Sequence, residues 1–325
     1  TFLQVKDTAD RLANFLVSRG IQKGDRVAIF LPNLPHYPEI FFGILKAGGV
    51  AVTCNPLYKP TELNFQLKDS GARAVFVMDH PVFYPTTVEA LAGTDVKTVV
   101  ICNVKSRLPA LKGFLGGLLG KIPKAERHEP GHFMFDEVVK SARTELPKFT
   151  IHPTEDVAFI LYTGGTTGAP KGACLSHANL MSNLLTVHEW VRISTKPGVK
   201  GKPLESGGAH TYLGVLPWYH SFGLTLVMLA SCASASRVVC IPDPRAGNPP
   251  FTEVLKAIEK YKVTLVVGVP TIYAALVNHP LTDKFDLSSI VGCGSGAAPL
   301  PLEVIRRFEE KTGAVIFEGY GMTET

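Results

Sequence analysis

The sequence predicts an α/β fold of layered, parallel-rich sheets with helices on both faces. Three observations carry this. Short continuous apolar runs suit strands buried on both faces. Amphipathic stretches of helical period separate them at short spacing, which favours parallel strands joined by crossover helices. Glycines and capping residues punctuate the changes.

In the first stretch Val5, Ala9, Leu12 and Leu16 fall on one helical face, and Gly20 suits the C-terminal cap. A turn at Lys23-Gly24-Asp25 leads into the apolar run from Val27 to Leu31, a buried strand. Tyr37 to Ala47 reads as helix, ended by Gly48-Gly49, and Val50 to Thr53 as strand. Thr61 can cap a short helix ending near Gly71, and Ala74 to Met78 is strand again. The stretch from Lys105 to Pro130 breaks the rhythm. Leu108, Leu111, Leu115, Leu118 and Ile122 form an apolar stripe, with Lys105, Lys112, Lys121 and Lys124 around it. Gly113, Gly116, Gly117 and Gly120 weaken an isolated helix there. The stretch is expected to pack on the body of the protein, with a membrane surface and partial disorder as the alternatives. Val157 to Tyr162 reads as strand, Ala178 to Val191 as helix, and Ser194 to Gly208 as a polar surface loop. The alternation resumes with strands Leu213 to Leu216, Val238 to Ile241, Leu265 to Val267 and Ser289 to Gly292. Helices Phe251 to Tyr261, Thr271 to Asn278 and Leu302 to Lys311 complete the pattern.

The chain has 325 residues, 46% hydrophobic and 19% charged, a globular balance with room for large cores. A net charge of +5 permits attraction to polyphosphates or acidic membrane surfaces and does not argue for nucleic acid. Cys54, Cys102, Cys174, Cys232, Cys240 and Cys293 form no C-x-x-C pair, which predicts free thiols in a reducing cytoplasm. The weakly charged stretch from Thr211 to Ser236 is interrupted by Pro217 and His220 and reads as buried core rather than a membrane span. The chain begins inside an amphipathic pattern without Met and stops just past a polar motif, so a fragment of a longer polypeptide is expected.

Four stretches carry chemistry. In Tyr162-Thr163-Gly164-Gly165-Thr166-Thr167-Gly168-Ala169-Pro170-Lys171-Gly172, a loop follows a buried strand directly. Its glycines expose backbone N–H groups to a phosphate, its threonines add hydroxyls, and Lys171 adds charge. The ordinary P-loop pattern fails, because Lys171 follows Pro170 and precedes Gly172. Gly292-Cys293-Gly294-Ser295-Gly296-Ala297 has dinucleotide-fingerprint spacing, with Glu318 about twenty residues on. The alternative is an edge-on approach of these glycines to a base or ribose. In Glu318-Gly319-Tyr320-Gly321-Met322-Thr323-Glu324, an aromatic ring can stack on a base, and a carboxylate near a triphosphate is a natural Mg²⁺ ligand. Pro217-Trp218-Tyr219-His220-Ser221-Phe222-Gly223 places a histidine in apolar surroundings, as a core residue or as a catalyst.

Together these stretches resemble the acyl-adenylate-forming (AMP-binding) superfamily over nearly the whole chain. Asn55-Pro56-Leu57-Tyr58, Glu62-Leu63 and Asp69-Ser70-Gly71 are most similar to its long-chain fatty-acid–CoA ligases, as is the Tyr-Thr-Gly-Gly form of the phosphate loop. Gly164 stands where many members have Ser or Thr, which removes one loop hydroxyl. The resemblance implies a large N-terminal adenylation domain spanning residues 1–325, incomplete at both ends and without the C-terminal lid domain. It implies ATP, Mg²⁺ and CoA acting on a long-chain fatty acid, in the cytoplasm, with peripheral membrane contact and a homodimer both left open. By position, Thr163 and Glu324 would hold Mg²⁺, while Thr166, Thr167 and Lys171 would embrace the β- and γ-phosphates. Tyr320 would stack on adenine, Thr323 would contact the α-phosphate, and His220 would sit where the acyl carboxylate meets it. Ser295, Gly296, Ala297 and Ala298 would border adenine and the acyl tunnel. The alternatives are ligases for aryl or medium-chain acids and a non-catalytic nucleotide-binding relative.

Overall fold

The computed structural model describes residues 1–120, 122–163, 169–194 and 210–324. Two compact units divide the chain, Thr1–Ala178 together with Glu324, and Asn179–Thr323.

The first unit is built on a seven-stranded sheet, β1 (Arg26–Phe30), β2 (Val50–Thr53), β3 (Ala72–Met78), β4 (Thr98–Cys102), β5 (Phe133–Met134), β6 (Val157–Thr163) and β7 (Lys171–Ser176), in the order β5-β4-β3-β1-β2-β6-β7. All neighbours pair parallel except β6 and β7, which form an antiparallel hairpin. Helices cover both faces. Val52, Val75 and Val77 pack with Leu63 and Leu67 of the helix Pro60–Ser70. Against the other side lie the mutually packed helices Phe2–Ser18 and His36–Lys46, the latter also packed on β1 and β2.

Local chemistry explains the element ends. The helix Phe2–Ser18 stops at Gly20, φ +84°. There the Gly20 N–H donates to the Val17 carbonyl (2.9 Å) and the Ile21 N–H to that of Leu16 (3.1 Å), with Ile21 and Leu16 both buried. The helix Pro60–Ser70 begins one residue before the expected Thr61 cap. Pro60 is pre-set for the first helical position, and the Lys59 N–H donates to the Glu62 carboxylate (2.8 Å).

Of the stretch expected to pack on the body, Ala125 is buried in the core and Arg107 pairs with Glu39, but the apolar stripe is largely left uncovered. The helix Ala110–Leu118 leaves Leu111 69%, Phe114 64% and Leu118 74% exposed.

The second unit holds a five-stranded, all-parallel sheet, β8 (Thr211–Gly214), β9 (Arg237–Cys240), β10 (Leu265–Gly268), β11 (Gly292–Ser295) and β12 (Val315–Glu318), in the order β12-β11-β10-β8-β9. Its core joins Leu213, Val266 and Ile316 to Leu255, Ile258, Tyr273 and Phe308 of the covering helices Thr252–Tyr261, Pro270–Asn278 and Leu302–Thr312. β11 lies three residues beyond the strand expected at Ser289 to Gly292. The strand lies between two neighbours, the Tyr273 hydroxyl donates to the Gly294 carbonyl (2.7 Å), and a Cβ on Gly294 would come no nearer than 3.8 Å to Val267. The stretch from Thr211 to Ser236 is a strand followed by a buried helical segment, and among the described residues no helix is long and apolar enough to cross a membrane. The expected loop from Ser194 to Gly208 lies outside the described residues apart from Ser194.

Candidate functional site

In the first unit the site residues sit on the β6–β7 hairpin. Its register sets Thr163 opposite Lys171 and Tyr162 opposite Gly172. Directly opposed residues share a sheet face, so the Thr163 hydroxyl and the Lys171 side chain flank the mouth of the loop together. The Thr163 hydroxyl donates to the Lys171 carbonyl at 3.4 Å, a long bond that a better acceptor can displace. Lys171 is exposed. Gly164, Gly165, Thr166, Thr167 and Gly168 lie outside the described residues.

The other face of the hairpin is structural. A Cβ on Gly172 would stand 2.8 Å from Ile160 and 3.2 Å from the Tyr162 ring, so only glycine lets that ring lie across the pair. The Tyr162 hydroxyl donates to Asp69 (2.6 Å), and burial with this carboxylate pushes its pKa up. Asp69 is itself held at a corner where Arg26 donates to the carbonyls of Ser70 (2.7 Å) and Gly71 (3.1 Å). Gly71 has φ +61°. The Asp69-Ser70-Gly71 motif thus braces the hairpin from behind. A cavity of about 310 Å³ opens beside it, lined by Tyr58, Phe65, Gln66, Tyr162 and Pro170 among others.

In the second unit the site residues gather at the carboxyl ends of the parallel strands, where open α/β sheets place ligands. The Gly319 N–H donates to the Ser295 carbonyl (2.8 Å), and a Cβ on Gly296 would stand 3.1 Å from both the Gly319 carbonyl oxygen and the Phe222 ring. Gly296, Gly319 and the residue two beyond His220 are therefore in close contact. Ala297 adopts φ +71°, a left-handed conformation that costs a residue with a Cβ about 1–2 kcal/mol. The turn of this motif is thus Gly296 to Ala298, after the strand. Ser295 is 1% exposed, and its hydroxyl has no hydrogen-bond partner among the described residues. The Glu318 carboxylate accepts the Leu300 N–H (2.9 Å) and ties the end of β12 to the segment that leads into the preceding helix Leu302–Thr312. Tyr320 is 91% exposed, so its ring face is open to a planar ligand rather than spent in the core. Gly321 is exposed and Thr323 half-buried, and Glu324, which groups with the first unit, is exposed.

His220 caps the turn Ser221–Gly223, its Nδ1 accepting the Phe222 N–H at 3.3 Å. The neutral ring then carries its proton on Nε2. The residue is exposed at the surface, yet protein atoms packed round the ring lower its pKa by desolvation. The turn continues as a π-helix, Leu224–Leu229. Gly223 makes this possible, since a Cβ there would stand 2.2 Å from the Pro217 carbonyl oxygen. The sequence offered no signal for the π-helix or for β7.

Among the described residues no group of three or more His, Cys, Asp or Glu side chains stands ready for a metal ion. Thr163 and Glu324 offer one hydroxyl and one carboxylate, hard oxygen donors that suit Mg²⁺ held mainly by phosphate and water.

The AMP-binding enzyme family matches residues 1–325. A long-chain-fatty-acid–CoA ligase of Bacillus subtilis (strain 168) is 38% identical across the whole chain, and the chain covers 55% of it. One of Escherichia coli O157:H7 is 34% identical, again across the whole chain and over 56% of its own length. The chain thus spans about half the length of the curated relatives it matches. A solved long-chain-fatty-acid-CoA ligase of Archaeoglobus fulgidus superposes with TM-score 0.75 at 26% identity, over all of this chain and 57% of that one. An anthranilate CoA ligase in complex with anthranoyl-AMP superposes with TM-score 0.80 at 26% identity, over all of this chain and 55% of its own. The chain belongs to the AMP-binding enzyme family.

Proposed function

We propose that the chain is the nucleotide-binding portion of a cytoplasmic ligase that activates a long-chain fatty acid with ATP and transfers it to CoA. The observation that carries this is the hairpin that sets Lys171 beside Thr163 at the mouth of a glycine- and threonine-rich loop. The printed names of the full-coverage relatives support the acid and the acceptor.

The chemistry has two steps. The fatty-acid carboxylate attacks the α-phosphorus of ATP and pyrophosphate leaves. The CoA thiol then attacks the acyl-adenylate carbonyl and AMP leaves. The carboxylate is already ionised, so the protein contributes positioning and charge neutralisation. Lys171, with Thr166 and Thr167, holds the leaving phosphates. Thr163 and Glu324 would hold Mg²⁺, which would supply countercharge to the triphosphate. Thr323 contacts the α-phosphate. The exposed Tyr320 ring stacks on adenine, and the turn Ser295 to Ala298 borders it. His220, kept neutral by desolvation, presents its Nε2–H to the acyl carboxylate or the α-phosphate oxygen.

The relatives are about twice as long as the chain, and full activity is expected to need that further length. The 325-residue chain alone adenylates poorly and forms acyl-CoA at no useful rate, and robust acyl-CoA production by it would refute this. The full-length protein exchanges pyrophosphate into ATP in the presence of long-chain acids. A panel of acids of increasing length tests the substrate, and short aromatic acids outcompeting palmitate-like chains would sink it. Peripheral contact with a membrane belongs to the same reading, and sedimentation of the full-length protein tests for a homodimer.

A further inference from the structure

We propose that the described residues between Asn103 and Ala125 form a docking element for an anionic lipid bilayer, with the helix Ala110–Leu118 lying in the interface. The inference rests on the fatty-acid reading for its purpose, but its geometry stands separately.

The segment is a presented excursion. At its neck the Asp79 carboxylate accepts the Asn103 side-chain amide (2.8 Å) on one oxygen and the Ala125 backbone N–H (2.8 Å) on the other. His128 Nε2 lies 3.0 Å from the second oxygen. One buried carboxylate thus clasps both ends of the excursion against the sheet.

The excursion displays its apolar side outward. Leu111, Phe114, Leu115 and Leu118, spaced i, i+3, i+4, i+7, are 69, 64, 44 and 74% exposed, and Leu119 is 63% exposed. The inner side is small. A Cβ on Gly113 would stand 3.2 Å from the Lys105 carbonyl oxygen, and one on Gly116 would stand 3.1 Å from Ile122. The glycines let the helix settle on its own loop while the large side chains face away. An exposed apolar patch of this kind marks a binding surface.

Charge selects the occupant. From Lys105 to Ala125 the sequence has Lys105, Arg107, Lys112, Lys121 and Lys124 and no acidic residue. Arg107 is engaged by Glu39 (2.7 Å), whereas Lys105 and Lys124 are exposed. A second copy of the same face would bring these cations together. An anionic headgroup layer complements them, and the apolar row enters the acyl boundary beneath. A long-chain fatty acid partitions into such a layer, so docking there concentrates the substrate.

Flotation of the 325-residue chain with phosphatidylglycerol–phosphatidylcholine vesicles tests this, and it reads binding without catalysis. Binding is expected to phosphatidylglycerol-containing vesicles, weakening with salt and with pure phosphatidylcholine. The double variant Leu111→Asn, Phe114→Asn should bind about tenfold or more weakly. Lys105→Glu with Lys124→Glu should abolish the preference for the anionic lipid. Circular dichroism checks that each variant is folded, which these exposed positions allow. Wild-type-like vesicle binding by the leucine–phenylalanine variant overturns the proposal. So does self-association that the variant abolishes without any vesicle binding. So does binding that vanishes in the full-length protein, since the rest of the polypeptide would then cover the face. Loss of ligase activity with intact vesicle binding would instead sink the functional reading alone.

Discussion

His36 couples the stability of the first unit to pH. Its imidazole is fully buried, neither ring nitrogen has a hydrogen-bond partner among the described residues, and its edge meets the Phe135 ring at 4.8 Å between centroids. Burial, with the nearby Arg107 charge adding to it, lowers its pKa from 6.5 to about 3. Below pH 6.5 the unfolded chain therefore binds a proton that the fold refuses. This contribution to stability is complete above the unfolded value and is lost progressively as pH falls towards the folded one. Stability therefore falls with each pH unit within that window, by roughly 3 kcal/mol in all by about pH 4.5. The replacement His36→Leu removes the titration and both unpaired nitrogens. Urea denaturation of wild type and variant, followed at about pH 7.5 and about pH 4.5, isolates the effect, because every other titrating group is common to both. The variant should gain about 2–3 kcal/mol on wild type between the two pH values, whatever their offset at neutral pH. A pH-independent difference, or an NMR titration of His36 near 6.5, would refute the reasoning.

Two further outcomes follow from close contacts. Arg107 pairs with the buried Glu39 (2.7 Å) and lies over the Phe135 ring (5.3 Å), while burial raises the Glu39 pKa against this pairing. Arg107→Ala should therefore cost about 3–5 kcal/mol in denaturant unfolding, and adding Glu39→Gln should recover part of it. Gly223→Ala puts a methyl 2.2 Å from the Pro217 carbonyl oxygen, backbone that no rotamer change relieves. It should destabilise the second unit by about 3 kcal/mol or more, or shift the turn that holds His220, seen as a displaced His220 NMR resonance at unchanged pH.

The sheets were legible because their strands are uninterrupted apolar runs. Val50–Thr53 was read to the residue, and Val27 to Leu31 within one. Reading failed where tertiary context overrides local pattern. β11 is Gly-Cys-Gly-Ser, which resembles a loop until β10 and β12 pair with it on either side. β7 is only partly buried and shows no apolar run, so nothing marked it as the partner of β6. The stripe at Leu111 to Leu118 was visible, but periodicity identifies an apolar face without saying whether protein covers it. For the candidate site, residue types and spacing pointed to the loop, the tyrosine–glutamate turn and His220. The supporting residues Asp69, Arg26 and Gly223 act through contacts across 93, 44 and 6 positions, which spacing cannot reveal.

The central claim is that Thr163 and Glu324 serve one magnesium ion on one ATP. A double-mutant cycle of Thr163→Val and Glu324→Gln, read as the Mg²⁺ concentration that half-saturates ATP–pyrophosphate exchange by the full-length protein, tests it directly. Each single change should raise that concentration by about tenfold, and the pair should raise it by far less than the product of the two. Independent, multiplicative effects, or a magnesium requirement that neither change alters, would contradict the account.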